Sequence, residues 1–78
     1  MKKIQILGAG CAKCKILAQN AKKAVEEAGV DAEIEKVEEI REIMKFNVMT
    51  TPGLVIDGEV KSAGRVLSPE DIRKYLVS

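Results

Sequence analysis

Ile4-Gln5-Ile6-Leu7-Gly8-Ala9-Gly10-Cys11-Ala12-Lys13-Cys14 holds a strand, a tight loop and the opening of a helix. Lys3 to Leu7 is rich in isoleucine and runs into Gly8-Ala9-Gly10, the pattern of a buried strand entering a turn. From Cys14 the apolar positions are Leu17, Ala18, Ala21, Ala24, Val25 and Ala28, steps of three and four that form one helical stripe. Gly29 supplies the left-handed stop, and Lys22–Glu26 and Lys23–Glu27 stand four apart on the outer face. So many alanines on the inner face predict close packing against a sheet.

Val30 to Val37 alternates, with Ala32 and Ile34 inward and Asp31, Glu33 and Glu35 outward. A strand that charged belongs at a sheet edge, where charge discourages pairing with other chains. Glu38 to Phe46 returns to helical spacing through Ile40, Ile43 and Met44, with Asn47 as the stop. Gly53-Leu54-Val55-Ile56 and Val60-Lys61-Ser62-Ala63 flank Asp57-Gly58, a strong hairpin signal. In Leu67-Ser68-Pro69-Glu70-Asp71-Ile72, Ser68 caps a helix, Pro69 takes its first position and Asp71 completes a capping box. Leu67 can staple to Ile72, and the helix is expected to bury Ile72, Tyr75 and Leu76.

The order is βαβαββα: an α/β chain expected to form a single domain over residues 1–78, with a four-stranded mixed sheet in spatial order 2-1-3-4. The first and third helices are expected on one face and the second on the other.

Thirteen Lys and Arg against twelve Asp and Glu leave a net charge of +1, which argues against a binder that neutralises many phosphates. One Phe, one Tyr and no Trp leave little on which to stack bases. The longest apolar run, counting glycine, is Ile6 to Ala12, far short of the roughly 20 residues of a membrane helix. The stretch after Met1-Lys2-Lys3 is only four residues, Ile4 to Leu7, before glycine, likewise short of the roughly 7–15 in an export signal. The chain therefore reads as cytoplasmic, where a cysteine pair is more often catalytic than structural. Abundant Lys and Glu beside scarce Asn and Gln hint at a thermophilic source.

With no histidine there is no Cys-His or Ser-His pair and no His-ligated zinc, and two cysteines are too few for an all-thiolate zinc site within one chain. A Cys11–Cys14 disulfide closes a loop too small to staple a fold. Between a strand and a helix the C-x-x-C spacing has its own chemistry. The first cysteine falls where helix N–H groups and dipole favour a thiolate. The second, one turn in, can attack a mixed disulfide on the first. Cys11 is thus the expected exposed nucleophile and Cys14, on the apolar stripe, the shielded resolving thiol, with Lys13 and Lys15 adding positive charge. Residues 1–25 carry six positive charges and no negative ones, and residues 26–45 carry eight negative and three positive. This asymmetry reads as surface pairing between adjacent elements or as a positive setting for the cysteines.

Val48-Met49-Thr50-Thr51-Pro52-Gly53 precedes the third strand. A proline there can simply punctuate the strand. Its functional form is a cis Thr51–Pro52 bond whose loop packs beside the cysteines and offers the Thr51 backbone to an extended substrate.

These elements together resemble the thioredoxin/glutaredoxin superfamily, and within it the small thioredoxin-like redox-active disulfide proteins of archaea and bacteria. The resemblance covers essentially the whole chain, through Cys11-Ala12-Lys13-Cys14, Thr51-Pro52, Ala63-Gly64 and the Ser68-Pro69-Glu70 helix. It implies a minimal thioredoxin-like fold, a cis proline at Pro52 bordering the active site, and a Gly64 that keeps the substrate groove open. It further implies an intrinsic redox-active disulfide with no cofactor and no metal, and a monomer. The implied partners are disulfide-containing proteins and a reducing enzyme of thioredoxin-reductase type. Gly10 stands where thioredoxins carry Trp, the inner dipeptide is Ala-Lys, and the first strand offers Cys14 no buried acid as proton acceptor.

Two rival readings use the same residues. Gly8-Ala9-Gly10 with Glu35 imitates a dinucleotide fingerprint, but Lys13 replaces its third glycine. A C-x-x-C loop also serves small Cu(I)-type carriers, because thiolates select soft metals. Those run βαββαβ and end on a strand, whereas this chain ends on a capped helix.

Overall fold

The computed structural model describes residues 2–8, 12–48 and 50–77. Its elements are β1 (Lys2–Leu7), α1 (Ala12–Ala28), β2 (Ala32–Val37), α2 (Ile40–Met44), β3 (Gly53–Ile56), β4 (Glu59–Ala63) and α3 (Pro69–Val77). The sheet order is β2-β1-β3-β4, with β1 parallel to β2 and antiparallel to β3, and β3 antiparallel to β4. This is the expected arrangement, a minimal thioredoxin-like fold.

Strand alternation divides the core in two. Ile4 and Ile6 of β1 and Leu54 and Ile56 of β3 face α1 and α3, which contribute Leu17, Ala21, Ala24, Ile72 and Leu76. Leu7, Val55 and Val37 face the other way and meet Ile43 of α2. Each fully buried Leu or Ile stabilises the fold by about 1.5–3 kcal/mol. Ala21 and Ala24 are wholly buried, so α1 approaches the sheet closely. Edge position leaves Ala32 and Ile34 of β2 half-buried, and Lys3 Nζ crosses to Glu35 Oε2 at 3.2 Å.

Turn chemistry follows the sequence closely. Gly29 has φ +65°, and Asp57 and Gly58 have φ 51° and 82°, as a two-residue hairpin loop requires. The Asp71 N–H donates to Ser68 Oγ at 3.2 Å, a cap that contributes about 1 kcal/mol.

Some expectations need correction. Helix α2 spans one turn rather than Glu38 to Phe46: Glu39 is extended, and Asn47 at φ 58° stops the following turn. Only Ile43 of that helix reaches the core, while Ile40 and Met44, four apart on its outer side, are 67% and 65% exposed. Tyr75 is not buried. It lies at the edge of the Ile72–Leu76 stripe, 38% exposed, with Lys61 Nζ 5.5 Å from its ring centroid. Lys22, Lys23, Glu26 and Glu27 are solvated, and no ion pair within 4.0 Å joins them among the described residues. Among those residues no helix is long and apolar enough to cross a membrane.

Strand directions gather the functional segments at one pole. The C-terminal ends of β1, β2 and β4 and the N-terminal end of β3 all lie there. Gly8, Glu38, Pro52 and Gly64 are therefore neighbours in space although far apart in sequence.

Candidate active site

Helix α1 begins at Ala12, the residue after Cys11 in the chain. Cys11 itself, expected to be exposed, lies outside the described residues. Cys14 is in the first turn of α1 at 6% exposure, at the head of the stripe continued by Leu17 and Ala21. It is shielded, as its place on the apolar stripe predicts. Lys13 and Lys15, on either side of it in sequence, are exposed.

Gly8 packs directly against Cys14, and sequence reasoning gave it no role beyond a loop. Its backbone is not in the left-handed region, so conformation does not demand glycine there. Space does. A Cβ on Gly8 would run into Cys14 Sγ, lie 3.2 Å from Cys14 Cβ and come within 3.8 Å of Thr51 Cβ. The Gly8 N–H donates to the Val37 carbonyl at 2.9 Å, which holds this backbone to β2.

The Thr51–Pro52 peptide bond is cis, as expected. Thr51 is exposed beside Gly8, and Pro52 is buried. The Gly64 N–H donates to the Pro52 carbonyl at 2.8 Å and ties the end of β4 to this loop. Gly64 has φ +75°, and a Cβ there would lie 2.7 Å from Thr50 Oγ1. Glycine is thus required at 64 by conformation and by the Thr50 side chain together.

Cys14 and Thr51 thus meet at Gly8, and the Gly64–Pro52 hydrogen bond brings the end of β4 to the same loop. Beside them Lys15 lines a cavity of about 40 Å³ with Ile6, Gly8, Cys14, Lys36 and Glu38. Lys36 and Glu38 were not among the residues singled out from sequence. The spacing was there: Lys36 follows Ala32 and Ile34 on one face of β2 and Glu38 lies two residues further, just past the strand, both exposed.

The geometry has close relatives. The family model described as a thioredoxin domain matches residues 2–77. A thioredoxin of Methanothermobacter thermautotrophicus is 51% identical over 76 residues, covering 97% of this chain and 99% of that protein. A thioredoxin of Methanocaldococcus jannaschii is 45% identical over 75 residues, covering 96% and 86%. A cysteine pair at a strand–helix turn, a cis proline opening the third strand and similarity along nearly the whole chain agree: the chain belongs to the thioredoxin family.

Proposed function

We propose that the chain is a thiol–disulfide oxidoreductase working through Cys11-Ala12-Lys13-Cys14, with Cys11 as nucleophile and Cys14 as resolving thiol. The carrying observation is the shielded Cys14 in the first turn of α1, set at one pole with Thr51, Pro52 and Gly64. The Cys11 thiolate attacks a substrate disulfide, forms a mixed disulfide and expels one substrate thiolate. Cys14 then attacks Cys11 Sγ, closing the Cys11–Cys14 disulfide and releasing the second. Two electrons pass to the substrate. The helix N-terminus favours the Cys11 thiolate, and Lys13 and Lys15 add to its positive setting.

The exposed Thr51 backbone offers strand-like pairing to an extended substrate, with Pro52 beneath it and Gly64 bounding the groove. The couple is intrinsic and uses no cofactor. Its partners are disulfide-containing proteins and a reducing enzyme of thioredoxin-reductase type, and it acts as a cytoplasmic monomer.

Anaerobic redox titration tests this. A reversible two-electron couple is expected, with no stoichiometric Cu(I) retained against a competing chelator. A potential near roughly −270 mV assigns a reductant and one near roughly −120 mV an oxidant. Tight one-to-one Cu(I) binding without a reversible couple overturns the proposal in favour of a metal carrier.

A further inference from the structure

The lysine-rich start of the chain is not neutralised by its neighbours. Of the six lysines in residues 1–25, Lys2 reaches Asp57 at 3.9 Å and Lys3 reaches Glu35 at 3.2 Å. Lys13, Lys15, Lys22 and Lys23 meet no carboxylate within 4.0 Å among the described residues. Pairing with the acidic stretch 26–45 therefore accounts for Lys3 alone.

Lys15 and Lys22 lie two turns apart on one side of α1, about 10 Å along its axis. Lys36 faces them from β2: it stands opposite Ile6, which belongs to the core beneath α1 and α3. Between them runs a groove of about 360 Å³ lined by Lys15, Ala18, Gln19, Lys22, Ile34 and Lys36, with no carboxylate on its wall among the described residues. Its floor is apolar, because Ala18 and Ile34 pack against the core and are only half-buried. Strand β2 pairs with β1 alone, so the groove is open along the sheet edge. At one end Lys15 and Lys36 also border the cavity that holds Cys14. A second groove beside β2 gathers Glu35, Glu38, Glu39 and Glu42, so charge around this strand is sorted rather than mixed.

We propose that the lysine groove docks an acidic segment of the protein whose disulfide is exchanged. Carboxylates meet Lys15, Lys22 and Lys36, and an apolar side chain rests on the Ala18–Ile34 floor. The assignment rests on the dithiol reading of the cysteine pair and names the partner chemistry that the pair selects. Charge complementarity sets the sign of the occupant. The floor favours a polypeptide over a nucleic acid, whose bases find no aromatic ring there to stack on. A partner held in the groove keeps its disulfide at high local concentration beside the pole where Lys15 and Lys36 border Cys14.

Two peptides test this, each a disulfide loop joined through a short glycine-serine spacer to Glu-Glu-Leu-Glu-Glu or to Gln-Gln-Leu-Gln-Gln. In single turnovers of the reduced protein at low salt and sub-saturating peptide, the acidic peptide is expected to react about tenfold faster, the product of three exposed ion pairs. The difference should lie in the half-saturating concentration and not in the limiting rate. It should vanish near molar salt, where screening acts within about 3 Å. Lys22→Glu should cut the ratio of the two rates about fivefold, one attraction being lost and one repulsion gained. Lys23→Glu makes the same change in net charge off the groove and should keep the wild-type ratio. A cysteine-free acidic peptide titrated into isotope-labelled protein should shift the amides of Lys15, Gln19, Lys22 and Ile34.

A ratio near one in the wild type overturns the proposal, as does an equal fall in both lysine variants. Tighter binding of a single-stranded oligonucleotide at the same amides overturns it in favour of nucleic acid. Self-association that Lys22→Glu abolishes overturns it in favour of the acidic side of a second copy, joined head to tail. Failure of the dithiol reading looks different: neither peptide is reduced, and the cysteine-free peptide still decides whether the groove binds.

Discussion

Replacing Cys11 with serine is expected to abolish disulfide turnover, and replacing Cys14 with serine to stop it one step later. A hydroxyl is no substitute for a thiolate as attacking group near neutral pH, so the Cys11→Ser protein should fall by about three orders of magnitude or more. Cys14→Ser keeps the first attack and loses the second. It should accumulate one covalent adduct per chain, joined through Cys11 and visible by mass spectrometry under non-reducing conditions. The wild-type protein should alkylate first at Cys11 with limiting reagent, because Cys14 is only 6% exposed. An adduct or first alkylation at Cys14 would reverse the roles, and full turnover by either serine variant would sink the mechanism.

Gly8→Ala is expected to cost both stability and activity. The added methyl would overlap Cys14 Sγ and crowd Cys14 Cβ at 3.2 Å, while Thr51 Cβ at 3.8 Å stays in ordinary contact. Relief requires one side to move. Retreat of the Gly8 backbone breaks its 2.9 Å bond to the Val37 carbonyl, and retreat of Cys14 lifts the first turn of α1 from the sheet. Overpacking of this kind costs about 1–3 kcal/mol. Chemical denaturation should show that loss in the midpoint. Because Cys14 must approach Cys11 closely, resolution of the mixed disulfide should slow by more than the stability loss accounts for. Gly29→Ala is the comparison: a Cβ there meets nothing within 4 Å, and only its φ of +65° opposes the change. It should lower the midpoint and leave the thiol kinetics alone. Equal kinetics in the two variants would remove Gly8 from the site.

Local chemistry is what made the fold legible. Gly29, Asp57-Gly58 and Ser68-Pro69 act through neighbours in sequence, and each ends or starts an element where expected. Strand order followed because the hairpin and the parallel crossover leave few alternatives. Tyr75, Ile40 and Met44 were misjudged because helical spacing identifies a stripe and not its width. The α2 face is covered by one short turn, so only Ile43 finds a partner surface. Within the site, Cys14, Pro52 and Gly64 were marked by residue type. Gly8 was not, since its need for glycine arises from a thiol six residues away and no turn geometry announces it. Lys36 and Glu38 were hidden for a different reason: both are exposed, and Glu38 reads in the sequence as the start of the second helix rather than as a continuation of β2.

The two cores also divide the molecule into regions of unequal persistence. Residues from α1, β1, β3 and α3 interlock in the larger one, so their amide protons should exchange only when the whole chain opens. Helix α2 is anchored by Ile43, with Phe46 and Val48 half-buried behind it. Such a segment opens locally, well below the free energy of global unfolding. It leads directly into Thr50 and Thr51, where a substrate chain would lie. The cysteine side of the site is thus backed by the larger, interlocked core, and the Thr50–Thr51 side by a segment held through one short turn.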